Sequence, residues 1–304
     1  MQQPLIHKCE HIRPIVRPMY RAISCAFILS LARFSDAAET NYSHDITRWQ
    51  EVPMSSWSNH VTPVPWLHVT HYSNYTWQVY SKDGKPWARL DGEVTDLPTQ
   101  KPKFSPRAGG FSKPSQCFPV EDGWLVAFNQ GEFGAALYWF RTDGKRNYKI
   151  SEDQIVAFFS LPDGIYAIQG LAHLGLSRGS VIRIAKPYEG ARWQSANMLK
   201  LPFAPYAISV CENHTMLITL SDSLVSVGTD WKIETLLLNA AWRRLYPNST
   251  ALSPDESKLY LGMHQFVGEF DRTSNKLRLL IPSQKFLNSF SPQDEETIHR
   301  AYHE

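Results

Sequence analysis

The sequence predicts an all-β chain built from a repeated unit of four short strands, the plan of a β-propeller. Three observations predict it. Short alternating or apolar runs fill the chain after its first forty residues, and strongly periodic helical segments are absent until the end. The runs are broken by Asp-Gly, Pro-Asp and Gly-rich turns. Two strand-turn-strand patterns also recur at a regular interval.

The first pattern is Thr76-Trp-Gln-Val-Tyr-Ser-Lys-Asp-Gly-Lys-Pro-Trp-Ala-Arg-Leu90, matched by Ala136-Leu-Tyr-Trp-Phe-Arg-Thr-Asp-Gly-Lys-Arg-Asn-Tyr-Lys-Ile150. It returns at 181–193, 223–237 and 266–280, with Asp83, Asp143, Asp230 and Asp271 at the turns. Asp-Gly after an alternating strand fits a tight hairpin, because glycine accepts positive φ at no steric cost. The second pattern is a turn followed by an apolar strand, at 121–128, 162–168, 211–220 and 253–262. Together they make a unit of roughly 40–50 residues, the period of a propeller blade. A β-sandwich needs no such repeat.

Five units are countable, near 45–95, 104–150, 151–201, 202–238 and 239–283. A degenerate blade or a shared first strand would raise the number to six or seven. The Pro-, Lys- and Ser-rich stretch 96–119 reads as a loop within the ring. The tail from Ser291 to Tyr302 reads as a short C-terminal helix, with Ser291 at the N-cap and Pro292 at the first helical position.

The first residues differ from the rest. Arg13, Arg17 and Arg21 precede the apolar run Ala22–Ala32, and the small residues Ser35-Asp-Ala37 follow. These are the parts of a secretory signal peptide, and the run is shorter than the ~20 residues a bilayer requires. The expected organisation is a signal peptide over 1–37 and a single propeller domain over 38–304, placed in a periplasm or outside the cell. No transmembrane segment is expected in the mature chain. Cleavage would leave Cys117 and Cys211, which either pair or stand as two separate buried thiols.

With 304 residues, 43% hydrophobic and 20% charged, and a net charge of +2 spread along the chain, the composition is that of an ordinary globular protein. No clustered basic face is visible, which argues against nucleic acid. No Gly-x-Ser-x-Gly elbow supports a serine hydrolase. Five of the ten tryptophans (Trp49, Trp57, Trp66, Trp77 and Trp87) crowd together. Exposed, they would stack on sugars or anchor a protein; buried, they would pack blades, which is the commoner use.

The segment Leu252-Ser-Pro-Asp-Glu-Ser-Lys-Leu-Tyr-Leu-Gly262, followed by Glu269-Phe-Asp271, resembles the blade signature of exported bacterial β-propellers of the YVTN and gluconolactonase-like kind. The resemblance implies a propeller fold. It also implies two functional branches: lactone hydrolases and lyases that use a divalent metal, and binding proteins with no known reaction. Blade motifs specify turns and packing, and so speak for fold rather than chemistry.

Loops between the second and third strands of each blade gather on one face of a propeller. The repeat register makes these loops 129–134, 169–179, 220–223 and 262–265. Asn129, Glu132, His173, Arg178, Asp222, His264 and Gln265 are therefore expected on a common face. Carboxylates, imidazoles and a guanidinium could there hold a metal, a sugar or a partner's loop. The plainer reading is that Glu132 and Arg178 are solvated charges and that the histidines bond to backbone. His264 has no partner at His-x-x-x-His spacing. The first functional expectation is a non-enzymatic protein that binds a protein or glycan of the cell envelope, as an inhibitor or immunity-type protein would. The alternative is a metal-dependent small-molecule hydrolase or lyase, with Glu132, Asn129 and Asp222 as ligands of calcium or magnesium. No cofactor is firmly indicated. A structural scaffold using a blade edge is the third.

Overall fold

A computed structural model describes residues 42–52, 73, 75–93, 101–240, 242, 245–283 and 286. The expected signal peptide and C-terminal helix lie outside the described residues. Among the described residues no helix is long and apolar enough to cross a membrane.

The short strand β1 (Gln50–Glu51) follows a 3-10 turn at Ile46–Arg48. The hairpin β2 (Trp77–Lys82) and β3 (Lys85–Leu90) comes next. Three four-stranded antiparallel sheets follow in order along the chain. The first holds β4 (Gln116–Val120), β5 (Gly123–Asn129), β6 (Ala135–Arg141) and β7 (Asn147–Ser151). The second holds β8 (Ile155–Leu161), β9 (Gly164–His173), β10 (Leu176–Ala185) and β11 (Gln194–Leu201). The third holds β12 (Pro205–Val210), β13 (Met216–Leu220), β14 (Ser223–Val227) and β15 (Ile233–Leu238). The last sheet, β16 (Ser249–Leu252), β17 (Lys258–Gly262), β18 (Val267–Asp271) and β19 (Lys276–Ile281), gains β1 as a fifth strand.

The chain is an all-β propeller. In each full blade the four strands are neighbours in sequence order, and the first strands β4, β8, β12 and β16 contact one another in succession. The hairpin β2–β3 packs on β16, beyond the last full blade. Blade boundaries fall where the repeat placed them for the last four units, and in three of them the turn aspartate closes its own turn. Asp143 accepts from the Lys145 amide at 2.9 Å, Asp230 from Lys232 at 3.2 Å, and Asp271 from Ser274 at 2.8 Å. Asp83 and Gly84 both take positive φ in a two-residue hairpin.

The first counted unit departs from expectation. Within 45–95 the described residues form a two-stranded sheet rather than a four-stranded blade. Gln50 and Glu51 pair instead with Ile281 and Leu280 of β19, so the start of the described chain seals the outer edge of the last blade. The stretch expected to be a loop is irregular from Lys101 to Ser115, and its Phe104, Ala108 and Phe111 pack on Val126, Phe128, Tyr138 and Phe140. That segment covers the face of β4–β7 turned away from the next blade.

Apolar layers between successive blades make the core. Trp49 and Trp77 are buried with Tyr260, Val267 and Phe286, whereas Trp57 and Trp66 lie outside the described residues. Cys117 and Cys211 sit in different clusters as free thiols, so no disulfide joins them. Burial raises both thiol pKa values.

Candidate functional site: the loop face

Antiparallel order sends the first and third turns of every blade to one end, and the second turns with the inter-blade connections to the other. The second-turn end carries all seven expected residues. Local chemistry explains why each stands where it does.

At the end of β5, Asn129 shapes its own loop. Its amide oxygen accepts from the Gly131 N–H at 3.0 Å, and its amide nitrogen donates to the Ile155 carbonyl at 3.3 Å. A 3-10 turn at Gly131–Phe133 then presents Glu132, whose carboxylate meets His173 Nε2 of the neighbouring blade. Both side chains remain 39% exposed. Beneath them lies Gln154, 7% exposed, from the connection between β7 and β8. Its Nε2 donates to the Gly131 carbonyl at 2.7 Å, and its Oε1 accepts from Arg178 at 2.9 Å. Gln154 therefore fastens the β5–β6 loop to the β9–β10 hairpin. Sequence reasoning missed it, because an isolated glutamine between strands carries no motif.

Asp222 lies one blade further on. Ser177 links it to the cluster: its hydroxyl accepts from the Ala204 N–H at 2.8 Å and shares a hydrogen bond of 3.0 Å with Ser221. The Asp222 carbonyl accepts from the Ala240 N–H at 2.9 Å. Asn129, Glu132, His173, Arg178 and Asp222 thus occupy three consecutive blades at one end.

His264 and Gln265 belong to a different environment. Half-buried His264 bonds through Nδ1 to the Thr76 hydroxyl at 2.8 Å and meets the Tyr246 ring edge-on. Gln265 is fully buried and lies beneath the face rather than on it. Its N–H donates to the Tyr75 carbonyl at 2.8 Å, its carbonyl accepts from the Trp77 indole at 3.0 Å, and its amide bonds Ser73 and the Phe286 carbonyl. It latches β2–β3 to the last blade.

The face also carries apolar side chains that motif reading passed over. Of eight exposed large hydrophobic residues among those described, five stand here. Phe133 is 82% exposed beside Glu132, and Leu174 and Leu176 flank the tip next to His173 at 92% and 51%. Leu238 and Tyr246 continue the series around the face. Exposed large hydrophobic residues collected at one end of a molecule mark an interaction site more often than residues scattered singly over its surface do.

At the opposite end one acidic side chain is fully engaged. Asp122 accepts from the Trp139 and Trp193 indoles at 2.9 and 3.1 Å and pairs with Lys186 at 2.7 Å. Burial opposes its charge, but these hydrogen bonds outweigh burial and hold the carboxyl below the usual range. Lys186 also sits over the Trp193 ring at 5.0 Å.

A metal does not fit the expected donors. Asn129 spends its side chain on backbone, Glu132 is held by His173, and no three His, Cys, Asp or Glu side chains among the described residues converge as a ligand set. A groove of about 880 Å³ between the irregular segment and β4 is lined by Lys101, Phe104, Lys113, Cys117 and Phe118.

No protein-family model matches the chain, and no curated protein matches it in sequence. Several solved structures are similar at low level. A streptogramin B lyase is 17% identical, with a TM-score of 0.37 over 55% of this chain and 53% of the lyase. A gluconolactonase from Xanthomonas campestris is 11% identical, with a TM-score of 0.39 over 58% of this chain and 60% of that one. The extracellular domain of BT4673 from B. thetaiotaomicron is 10% identical, with a TM-score of 0.40 over 77% of this chain and 29% of that one. The chain spans about half to three-fifths of the lyase and the gluconolactonase. Similarity at this level assigns neither activity nor ligand.

Proposed function

We propose that this chain is an exported binding protein that engages a protein or glycan of the cell envelope through its loop face, in the manner of an inhibitor or immunity-type protein. The observation that carries the reading is that Phe133, Leu174 and Leu176 stand exposed in the two loops joined by the Glu132–His173 contact, with Leu238 and Tyr246 exposed at the same end of the molecule. Apolar anchors inside a polar rim are the anatomy of a recognition surface. The placement in the envelope rests on the basic, apolar and small-residue order of residues 13–37.

The test is co-purification of the tagged protein from the envelope of its source, with charge reversals on either end. Glu132→Lys and Asp222→Lys should each cut the recovered partner at least tenfold. Glu121→Lys, at the opposite end, should leave recovery unchanged. A partner retained by both loop-face variants overturns the assignment of this face.

A further inference from the structure

The groove beside β4 has one wall without regular secondary structure, and that wall is nonetheless fixed. Phe104 lies 5.6 Å from the Phe140 ring and covers Gly144, where an added Cβ would fall 2.6 Å from the phenyl ring. Ala108 and Phe111 exchange backbone hydrogen bonds of 3.1 and 2.9 Å, and the Phe111 ring stacks on Phe128 at 5.3 Å. Pro106 is buried, and the Ser115 N–H and hydroxyl both donate to the Ala127 carbonyl, at 2.8 and 3.1 Å. The groove is therefore preformed, as small-molecule sites usually are.

The strand forming the other wall is bare. β4 is the first strand of its blade, like β8, β12 and β16, yet it alone of these holds no buried residue. Cys117 and Phe118 stand half-buried along the groove, flanked by Pro114 and Pro119. At about 880 Å³ the space falls within the roughly 300–1,000 Å³ of small-molecule sites.

The charge of the groove is one-sided. Lys101, Lys103, Arg107 and Lys113 are exposed on this segment, and no Asp or Glu occurs between Asp96 and Glu121. Among the described residues none of these four cations forms an ion pair, whereas Arg141, Lys186, Lys258 and Arg278 elsewhere in the propeller do. Lys101 and Lys113 line the groove itself. The Lys101 charge is felt inside it: burial raises the Cys117 thiol pKa, and Lys101 opposes the rise.

We propose that this groove binds a small organic carboxylate with an apolar body, the carboxylate met by Lys101 and Lys113 and the body lying against Phe104 and Phe118. The site stands apart from the loop-face reading and does not depend on it. Two ammonium groups with no carboxylate in the lining disfavour a cationic ligand, and the phenyl and proline walls disfavour a bare inorganic anion. No arginine lines the groove, so the head group is held by point charges rather than a bidentate fork.

The experiment follows labelling of Cys117 by N-ethylmaleimide in the full-length protein, read by peptide mass spectrometry, with buried Cys211 as the control for unfolding. The probes are dodecanoate, dodecanol and dodecyltrimethylammonium, each below its micelle concentration. Cys117 should label in the free protein, and dodecanoate should slow that labelling at least tenfold while the uncharged and cationic analogues leave it unchanged. Lys101→Gln combined with Lys113→Gln should raise the dodecanoate concentration for half-protection at least tenfold. The melting temperature should stay unchanged, since both side chains are exposed. Labelling of Cys117 only when Cys211 also reacts would show a groove filled by the chain itself, and overturns the proposal. Equal protection by dodecanol, or undiminished protection in the double variant, also overturns it. Protection by a hexaglutamate peptide but not by dodecanoate would make the groove a peptide-docking surface instead.

Discussion

Gly179→Ala should disrupt the base of the β9–β10 hairpin and lower stability measurably. A Cβ at 179 would overlap Pro205 Cδ and come within 2.8 Å of the Phe203 carbonyl oxygen and 3.2 Å of the Gln169 carbonyl. None of these is the end of a flexible chain: one is a proline ring and two are backbone. Relief therefore requires moving the connection between β11 and β12 or the β9–β10 hairpin itself. Overpacking costs roughly 1–3 kcal/mol, and a rigid obstacle places this site near 3 kcal/mol. For a domain of this size ~1 kcal/mol corresponds to about 2–4 °C, so the melting temperature should fall about 6–12 °C. Thermal melts followed by near-ultraviolet circular dichroism provide the assay, with Gly175→Ala as the internal comparison. Gly175 has a φ of +86° but nothing within 4 Å of an added Cβ, so backbone strain alone applies, about 1–2 kcal/mol. A Gly179→Ala protein melting within about 2 °C of wild type, or above Gly175→Ala, refutes the packing argument.

Other outcomes follow from the same geometry. Asp122→Ala should lower stability by about 1–2 kcal/mol in urea titrations, a figure reduced because the carboxylate is 37% exposed; an unchanged midpoint would deny it the role of inter-blade clasp. Glu269→Leu should cost about 2–3 kcal/mol, because the side chain is 6% exposed, Lys258 at 3.0 Å loses this partner and Arg278 at 2.7 Å is left with Glu51; equal stability would show that the partly exposed cations recover full hydration. Asp122 is held below the usual carboxylate range, and hydrogen bonds from Ser253 and Ser257 hold Asp255 down to about 2. Their stabilisation is complete above the ordinary value near 4 and is lost as pH falls through the folded values. Melting temperature should therefore decline from pH 4 to pH 2; a flat profile across that window contradicts the assignment.

The blades and their turns were legible because their signals are local. Strand alternation and a turn aspartate both act within a few residues, so Asp143, Asp230 and Asp271 marked true hairpins. Long-range events left no such trace. Nothing in Gln50–Glu51 announces Ile281 as its partner. Likewise, Gln265 is in a second turn like the others, yet Ser73, Tyr75 and Trp77, nearly two hundred positions away, bury it. The sequence register placed residues at one end of the molecule but could not separate those above the surface from those below it. Nor did it reveal that β9 and β10 are longer than their counterparts in the other full blades. The signal was present in Leu174-Gly-Leu176, apolar side chains where a turn asks for Asn or Asp, and it becomes legible once strand lengths are known.

The central claim is that recognition occurs at the end of the propeller bearing the second turns. Hydrogen–deuterium exchange of the full-length protein, with and without the partner recovered from the envelope, tests it most directly. The account predicts slowed exchange on binding at 130–134, 172–178 and 221–222, with 121–122, 162–163, 211–215 and 253–257 unchanged. Protection confined to the latter turns, or to the outer edges at β7, β11 and β15, would contradict it.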